Sequence, residues 1–394
     1  MSAYDVIVLG GGPAGMQAAI TAREHGLRVA VVDEGGRPGG QIYRAPSDPV
    51  RPADLAANAD LARGERLRAA LDASGADVLT RHRAWAAAPG MRVDCIAPGG
   101  PVSLGAAALV LATGTTERVI PMPGVTLPGV IGLAAATILL KAHGVTPGGP
   151  TVVAGVGPLL YAVAAGIRKA GGEVAAIVDL LHPADWAAAL PGLASRPDLL
   201  ARGVRWVAGL RAAGVPVHHR ATVTAIHGEA FVQAVEIAPV AADWSAAPGA
   251  PRRAIPAASV VIGHGLVPAT EFARLLGVPH RYVAAQGGWV PDRAPDGRAA
   301  DGVYIAGRLR RHFRRRGGGV CRRAGRARRR AGSRRAEAGA LRRTVRPGAP
   351  GAGPGGALRV GHQPADGAAP RARAQHRARH DRVPLRGHPA RRHR

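Results

Sequence analysis

Three glycines near the start of the chain have the spacing of a phosphate-binding turn. Residues 10–15 read Gly-Gly-Gly-Pro-Ala-Gly and contain the pattern Gly-x-Gly-x-x-Gly. In such a turn the first glycine permits the tight bend, the second lets a pyrophosphate approach the backbone, and the third lets the next helix pack closely on the strand. The N-terminus of that helix offers free N–H groups and a positive dipole end to the phosphates. The residues predicted to form this phosphate-binding turn are Gly10, Gly12, Pro13, Ala14 and Gly15.

The residues around this turn have the pattern of a complete βαβ unit. Residues 4–9 form an apolar run rich in Val and Ile, which is typical of a strand buried on both faces. Residues 13–25 predict a helix that Gly26 ends, and residues 28–32 predict a second strand. Either Asp33 or Glu34, at the end of that strand, is placed to accept hydrogen bonds from ribose hydroxyls. Because every part has the right spacing, the pattern indicates a dinucleotide site rather than a flexible turn.

Two further segments point to the kind of dinucleotide. Residues 39–44 read Gly-Gly-Gln-Ile-Tyr-Arg, and residues 109–114 are an apolar strand ending in Ala-Thr-Gly. Here the chain resembles the thioredoxin-reductase-like flavoproteins, in which Gly-Gly-Gln and Ala-Thr-Gly segments contact FAD. The resemblance implies that FAD is the cofactor and that it contacts these residues: Gly40, Gln41, Ala112, Thr113 and Gly114.

A second turn of the same general kind follows later in the chain. Strands are predicted at 151–154 and 173–178 and a helix at 158–169, with Gly155 and Gly157 in the turn and Asp179 at the end of the second strand. Leu160 stands where a third small residue normally allows close contact between helix and strand, so the crossing must be wider. Two interpretations stay open: this domain binds NAD(P), or it is a retained scaffold that only shapes the substrate site.

Several longer motifs are more specific than the general class. They lie at 33–44, 112–118, 121–124, 127–130, 265–271 and 287–291. Together they resemble the opine oxidase A-subunit family, which also includes relatives of the sarcosine oxidase α subunit, as well as the B subunit of hydrogen cyanide synthase. The resemblance covers about residues 3–307.

This resemblance implies a reaction and its partners. The expected substrate is an amino acid, an opine or another secondary amine, whose carbon–nitrogen bond is oxidised by hydride transfer to flavin N5. Members of the family often carry a [2Fe-2S] cluster near the C-terminus and work with a second flavoprotein subunit, so electrons would leave to a partner or to a quinone. The expected location is the cytoplasm, with peripheral association with the inner membrane through the electron acceptor. An NAD(P)H-dependent flavoprotein reductase is the alternative.

The predicted fold class is α/β, with two Rossmann-like doubly wound domains. We expect the FAD domain to be discontinuous, with a first part at 1–125 and a return segment at 251–307, and the NAD(P)-type domain to be inserted at 126–250. Residues 259–268 are predicted to bring the chain back to the FAD domain, and residues 301–307 to form the last strand of its sheet. That strand ends at Gly307, the last predicted cofactor residue.

The composition changes at Gly307. Residues 308–394 contain 27 arginines, no lysine and three acids, a net charge of +24, whereas residues 1–307 carry +3. The family pattern has Asp after this glycine, where it hydrogen-bonds the ribityl chain of the flavin, but Arg308 stands here. Arginine has only donors, so it cannot replace a carboxylate acceptor. We therefore expect weak or no retention of FAD by the chain as it stands.

Possible codons suggest that residues 308–394 are read out of frame. One base forward, residues 308–313 permit Asp-Cys-Gly-Gly-Ile-Ser, and residues 383–388 permit Cys-Arg-Cys-Glu-Asp-Ile. The second peptide resembles the paired-cysteine start of the family's iron–sulfur segment. The cluster is therefore expected only in an intact-frame parent, and no metal site is expected in the chain as written. The rival interpretation is a genuine basic tail that binds nucleic-acid phosphates, whereas residues 1–307 are not expected to bind nucleic acid.

The remaining chemistry-bearing residues do not define a catalytic group. His264 could carry a proton near a flavin, although a histidine in a strand-end turn is more often structural. Glu117 and Arg118 follow the Ala-Thr-Gly turn and are either cofactor neighbours or a surface ion pair. Cys95 and Cys321 are the two cysteines of the chain, so no Cys-x-x-Cys pair is present and disulfide reduction is not expected. Uncharged stretches at 119–140 and 142–167 are interrupted by Pro and Gly, which argues against a transmembrane segment.

Overall fold

Two separate, mainly parallel sheets organise the protein. A computed structural model describes residues 3–47, 58–193, 197–284 and 287–307. The helices are α1 (Pro13–Glu24), α2 (Ala59–Ala73), α3 (Leu133–Ile138), α4 (Pro158–Lys169), α5 (Pro183–Leu193), α6 (Pro197–Ala212) and α7 (Glu271–Leu275), and a π-helical turn over Leu139–His143 continues α3. The strands are β1 (Ala3–Leu9), β2 (Val29–Val32), β3 (Asp77–Leu79), β4 (Arg83–Ala88), β5 (Arg92–Ala97), β6 (Gly100–Leu111), β7 (Thr115–Glu117), β8 (Val130–Gly132), β9 (Thr151–Gly155), β10 (Val174–Asp179), β11 (Val217–His219), β12 (Ala221–His227), β13 (Ala234–Pro239), β14 (Arg253–Pro256), β15 (Ser259–Gly263), β16 (Leu266–Pro268), β17 (His280–Val283), β18 (Gly288–Pro291), β19 (Arg298–Ala300) and β20 (Val303–Ile305).

The first sheet has β1 near its centre. Its strand order is β19-β20-β6-β1-β2-β3, and β4 and β5 form an antiparallel extension beside β6. Strand β1 pairs in parallel with β2 on one side and with β6 on the other. Ile7 and Val8 of β1 are completely buried and point into the cores on opposite faces of the sheet. The part of a strand with both faces covered must be apolar, which is why residues 6–9 form a continuous apolar run rather than an alternation.

The second sheet repeats the parallel arrangement. Its order is β11-β10-β9-β15-β8, and all of its pairs are parallel. Helix α4 packs on one face through Leu160 and Ile167, both completely buried. The antiparallel sheet β12-β13-β14 shares a hydrophobic core with the other face. The two Rossmann-like α/β domains predicted from the sequence are therefore confirmed.

One prediction about the path of the chain is wrong. The sequence predicts that Ser259–Gly263 returns to the first domain, but as β15 it pairs with β9 and β8 in the second sheet. An interior strand of a parallel sheet must be apolar. Strand β15 lies between β9 and β8, and its residues Val260 and Val261 have no exposed surface. The chain instead leaves the second sheet after Gly263, and β16 pairs with β7. The limits 1–125, 126–250 and 251–307 otherwise stay predictions, and residues 308–394 lie outside the described part.

The described residues contain neither a membrane-spanning helix nor a metal-binding cluster. Within the ranges 3–47, 58–193, 197–284 and 287–307, no helix combines the length and the apolar character needed to cross a membrane. In the same ranges no group of three or more His, Cys, Asp or Glu side chains could hold a metal ion. The cysteines of the predicted iron–sulfur segment would lie beyond residue 307, outside these ranges.

Candidate functional site

A cavity of about 770 Å³ lies at the carboxyl ends of the parallel strands of the first sheet. The residues that follow β1, β2, β6 and β20 all line it, which is the usual position of a ligand in an open α/β sheet. Predicted residues that line this one cavity are Gly10, Gly12, Pro13, Ala14, Asp33, Glu34, Gly40, Gln41, Ala112, Thr113, Gly114 and Gly307. Gly15, the remaining predicted residue, is buried behind the turn and is not part of the lining.

The three motif glycines are required for different reasons. Gly10 has φ +100°, and a Cβ there would lie 2.5 Å from the carbonyl oxygen of Ala112. A Cβ on Gly15 would overlap the carbonyl oxygen of Gly10, so this glycine lets α1 sit against β1. Gly12 differs from both, because its φ is −67° and the nearest protein atom to an added Cβ is 3.9 Å away, on Gly40. The described residues therefore leave room for a side chain at Gly12, which lines the cavity.

Asp33 is held at the end of β2 by backbone donors. The N–H of Gly11 donates to its Oδ2 at 2.6 Å and the N–H of Gly35 donates to its Oδ1 at 2.7 Å. Burial raises the pKa of this carboxyl, and the two backbone hydrogen bonds partly offset that rise. Each oxygen keeps a lone pair beyond the bond it makes, so Asp33 can still accept a hydroxyl from a ligand in the cavity.

A buried arginine that we did not predict fixes the Gly-Gly-Gln loop. Arg68 on α2 is 4% exposed and donates to the carbonyl oxygens of Pro38 at 2.8 Å and Tyr43 at 2.9 Å. Its guanidinium also binds Glu65 at 2.8 Å, and this bond is the main reason that the pKa of Glu65 is lowered. The sequence offers no signal for this role, because nothing distinguishes Arg68 from Arg63 and Arg66 of the same helix.

We expect Arg68→Ala to lower the free energy of unfolding by about 2–3 kcal/mol, because buried carbonyl groups and a carboxylate lose their donor. Arg37→Ala is the matched control. Arg37 binds the same Glu65 at 3.0 Å, but its side chain is 45% exposed, so its loss should cost less than about 1 kcal/mol. Urea denaturation of the two variants measures the difference. Equal losses would show that the loop is not held through Arg68.

The opposite wall of the cavity is joined to the loop by side-chain hydrogen bonds. Gln41 Nε2 donates to the carbonyl oxygen of Thr115 at 3.0 Å, and Thr113 Oγ1 donates to that of Ala269 at 3.0 Å. The predicted segments around Gln41 and Thr113 are thus brought together, although about 70 residues separate them in sequence. The resulting site is a cleft between the turn, the loop and the end of β6.

Five basic side chains that we did not predict also line the cavity: Arg37, Arg44, Arg81, His82 and His143. The Nε of Arg44 is buried without a hydrogen-bond partner among the described residues. His143 receives or donates a hydrogen bond through Nδ1 to Ser47 Oγ at 3.0 Å. The unpaired Nε–H of Arg44 and the uncapped N-terminus of α1 at Gly12 could both donate hydrogen bonds to an anionic ligand such as a pyrophosphate. The position of Arg44 at the end of the Gly-Gly-Gln-Ile-Tyr-Arg motif was a signal that could have identified it.

His264, considered as a proton carrier, and Glu117 and Arg118, considered as cofactor neighbours or a surface ion pair, lie outside this cavity lining. Glu117 accepts the N–H of Ala134 at 2.7 Å at the start of α3, and burial raises its pKa. Arg118 donates to the carbonyl oxygen of Gly287. Burial and the nearby charge of Arg118 lower the pKa of His264, whose Nε2 has no partner among the described residues. Glu117 accepts a hydrogen bond at the start of a helix, and Arg118 bonds the connection between β17 and β18. The sequence indicates a cofactor contact or a surface ion pair for these residues and does not reveal these roles.

The remaining predicted positions belong to the second sheet. Gly155 has φ +137°, and a Cβ there would overlap the carbonyl oxygen of Gly263 on the adjacent strand. This glycine is needed for strand packing whether or not a ligand binds. Gly157 starts α4, and Asp179 ends β10 in a completely buried position. Cys95 is buried in the first domain, and burial raises the pKa of its thiol to about 11, so it is an inert core residue.

Comparisons with known proteins agree with this geometry. Residues 4–324 match the family described as pyridine nucleotide-disulphide oxidoreductase, so the match extends past Gly307, where we expected the resemblance to end. The chain is 35% identical to the A-subunit of opine oxidase from Agrobacterium tumefaciens over 318 residues, which cover 77% of this chain and 61% of that protein. It is 32% identical to the hydrogen cyanide synthase subunit HcnB of Pseudomonas aeruginosa over 280 residues, which cover 70% of this chain and 60% of that protein. These identities confirm the resemblance seen in the motifs.

A solved structure gives the same fold. Thioredoxin reductase of T. acidophilum superposes with a TM-score of 0.56 at 19% identity, covering 82% of this chain and 97% of that one. At this identity the likeness concerns the fold alone. The chain spans about three-fifths of the length of the curated relatives it matches.

Proposed function

Because the chain belongs to the pyridine nucleotide-disulphide oxidoreductase family of FAD-dependent enzymes, we propose that it is an oxidoreductase subunit that holds FAD in the cavity of its first domain. The proposed reaction oxidises the carbon–nitrogen bond of an amino acid, an opine or another secondary amine. The electrons then pass to a second flavoprotein subunit or to a quinone. A cytoplasmic location, with peripheral contact to a membrane through the acceptor, belongs to the same proposal.

The observation that carries the proposal is the convergence of the predicted FAD residues on one cavity. Its volume of about 770 Å³ lies within the usual range of ligand and cofactor sites, roughly 300–1,000 Å³. The empty space beside Gly12 and the orphan donor of Arg44 are the features that a bound pyrophosphate would explain. The residues present therefore fit FAD.

Each part of the cavity has a proposed role toward the cofactor. Gly12 and the N-terminus of α1 would bind the pyrophosphate, and Asp33 would accept the hydroxyls of the adenosine ribose. Gln41 and Thr113, held by their bonds to Thr115 and Ala269, would form the walls beside the ribityl chain and the ring. When bound, FAD supplies the ring that accepts a hydride equivalent from the carbon next to the substrate nitrogen. The protein contributes placement, electrostatics and exclusion of water.

The relatives' names support an amine as the substrate class and an assembly of several subunits. The A. tumefaciens relative is a subunit of an opine oxidase, and the P. aeruginosa relative is a subunit of a hydrogen cyanide synthase. Because this chain spans only part of their length, the substrate, the partner subunit, and the electron acceptor are all proposals. An iron–sulfur cluster is proposed only for a chain read in the restored frame after Gly307.

An anaerobic reduction assay tests the proposal. The full chain, both as it stands and with the frame restored after Gly307, is supplied with excess FAD and mixed separately with sarcosine, L-proline, opines, NADH and NADPH, and the visible absorption of bound flavin is followed. We expect bleaching by at least one amine and no bleaching by the nicotinamides. Bleaching by NADH or NADPH alone would replace the proposal with a flavoprotein reductase. A flavin that no amine reduces would contradict amine oxidation by this chain.

A further inference from the structure

The acid at the end of β10 is used inside the protein. Asp179 occupies the place where a Rossmann domain presents a carboxylate to a ribose, but it is 0% exposed. The hydroxyl of Tyr161 donates to its Oδ2 at 2.8 Å, and the indole Nε1 of Trp186 donates to the same oxygen at 3.2 Å. The N–H of Leu181 donates to Oδ1 at 3.0 Å. The carboxylate is therefore satisfied by donors of its own chain.

The two aromatic donors also form a wall over this carboxylate. Tyr161 comes from α4 and Trp186 from α5, and their rings meet edge to face with centroids 5.9 Å apart. Burial and the bond to Asp179 raise the pKa of the Tyr161 hydroxyl, which therefore stays protonated and able to donate. A ribose could reach Asp179 only by displacing both rings and breaking their hydrogen bonds.

The turn before α4 adds a second obstacle. Leu160 occupies the position of the third small residue and is completely buried between the helix and the sheet, in one cluster with Val153 and Ile177. The side chain fills the space that a close helix–strand contact would otherwise occupy. Helix α4 is thus positioned by packing rather than by a ligand.

Asp33 in the same chain is a carboxylate that a ligand can reach. Asp33 lines a cavity, and its described hydrogen-bond donors are backbone N–H groups of a turn, which leave its cavity side open. Asp179 instead receives two side-chain donors from neighbouring helices. The two positions match in sequence pattern and differ in what covers them.

We propose that the second Rossmann domain is a scaffold closed to nicotinamide dinucleotides, in which Asp179 joins α4 and α5 to the sheet. The nicotinamide implied by the family description does not fit the residues that would have to hold its ribose. A flavin in the first domain must then receive its electrons from a substrate or a partner protein. The proposal concerns the second domain by itself, so it stands or fails independently of the function proposed above.

Calorimetric titration of the full chain with NAD⁺, NADH, NADP⁺ and NADPH is the first test. The heat of binding is measured directly, and saturating FAD is present so that the cavity of the first domain is not open to the nicotinamide dinucleotides. We expect no saturable binding with a Kd below about 1 mM, the weak end of specific affinities. Saturable binding of any of the four below that concentration would overturn the proposal.

Conservative variants test the structural role of Asp179. Tyr161→Phe keeps the ring and removes only the hydroxyl donor, whereas Trp186→Phe replaces the indole by a smaller aromatic ring and removes its N–H donor. Each should shift the unfolding equilibrium constant by at least about tenfold, as expected for a hydrogen bond to a charged group. Trp206→Phe is the matched control, because Trp206 is partly buried in the same core and does not bond Asp179. If the two variants unfold at the same denaturant concentration as the parent and this control, Asp179 does not hold the helices and the proposal is wrong.

Discussion

The Gly12→Ala variant is expected to fold as the parent does and to bind FAD about tenfold to a hundredfold more weakly. Its φ of −67° suits alanine, and among the described residues other than its chain neighbours no atom lies closer than 3.9 Å to the added Cβ. The methyl group would instead enter the space proposed for the pyrophosphate. Overpacking of a well-fitted site costs about 1–3 kcal/mol, which corresponds to this loss of affinity.

The neighbouring glycine provides a contrasting variant. A Cβ on Gly15 would overlap the carbonyl oxygen of Gly10, so Gly15→Ala should weaken both the fold and the binding of FAD. Gly209→Ala is the neutral control, because Gly209 lies within α6 and has no atom near its missing Cβ. Alanine in a helix is, if anything, more stable than glycine by up to about 1 kcal/mol.

Titration of each purified chain with FAD, followed by flavin fluorescence, and urea denaturation without FAD separate these effects. Because the chain as it stands is expected to bind FAD weakly, each glycine variant is also made in a chain with the frame restored after Gly307. A Gly12→Ala variant that is as stable as the parent and binds FAD equally well would contradict the placement of the pyrophosphate. A variant that is itself destabilised would contradict the free space deduced beside Gly12.

The parts of the fold that local pattern determines could be predicted. The run that became β1 is apolar because both of its faces are covered, and the spacing from Gly10 to Gly15 fixes the turn before α1. Asp33 follows from the length of the same unit. Each of these features is decided within about thirty residues, so the sequence alone contains the information.

The predictions that failed concern residues whose environment is set by contacts with residues far away in sequence. An apolar run such as Ser259–Gly263 suits the centre of either parallel sheet, and only its pairing with β9 and β8 assigns it to the second. Arg68 looks like a surface arginine until the loop containing Pro38 folds over it. Asp179 has the same sequence context as Asp33, and the donors that cover it come from two different helices. Local spacing cannot reveal such tertiary contacts.

Moving the reading frame forward by one base after Gly307 is expected to raise the affinity for FAD by about tenfold to a hundredfold. Gly307 lines the cavity, and a Cβ on it would lie 3.0 Å from the Cβ of Ala14 in the first turn of α1. Gly307 is therefore part of the cavity wall, and residue 308 is the one that follows it in sequence. In the restored frame the codons permit an aspartate there, and a hydrogen bond to a charged group contributes about 1.5–3 kcal/mol. Arg308 has no acceptor to offer a ribityl hydroxyl.

Two point variants show whether the carboxylate itself is responsible. Arg308→Asp supplies the acceptor without changing the rest of the tail, and Arg308→Leu removes the positive charge without supplying one. We expect the first to recover most of the affinity and the second to recover little. An unchanged Kd in Arg308→Asp, or a parent chain that is purified with a full complement of flavin, would contradict the argument.

The same set of proteins separates the two interpretations of residues 308–394. If the tail is a genuine nucleic-acid-binding segment, the parent should shift a DNA or RNA fragment in a gel, in a salt-dependent manner, and truncation after Gly307 should abolish the shift. In that case restoring the frame would remove a function instead of returning one. If the tail is a frame error, the restored chain should gain FAD affinity together with the cysteines of an iron–sulfur segment. Resequencing of the coding region should then show the inserted or missing base directly.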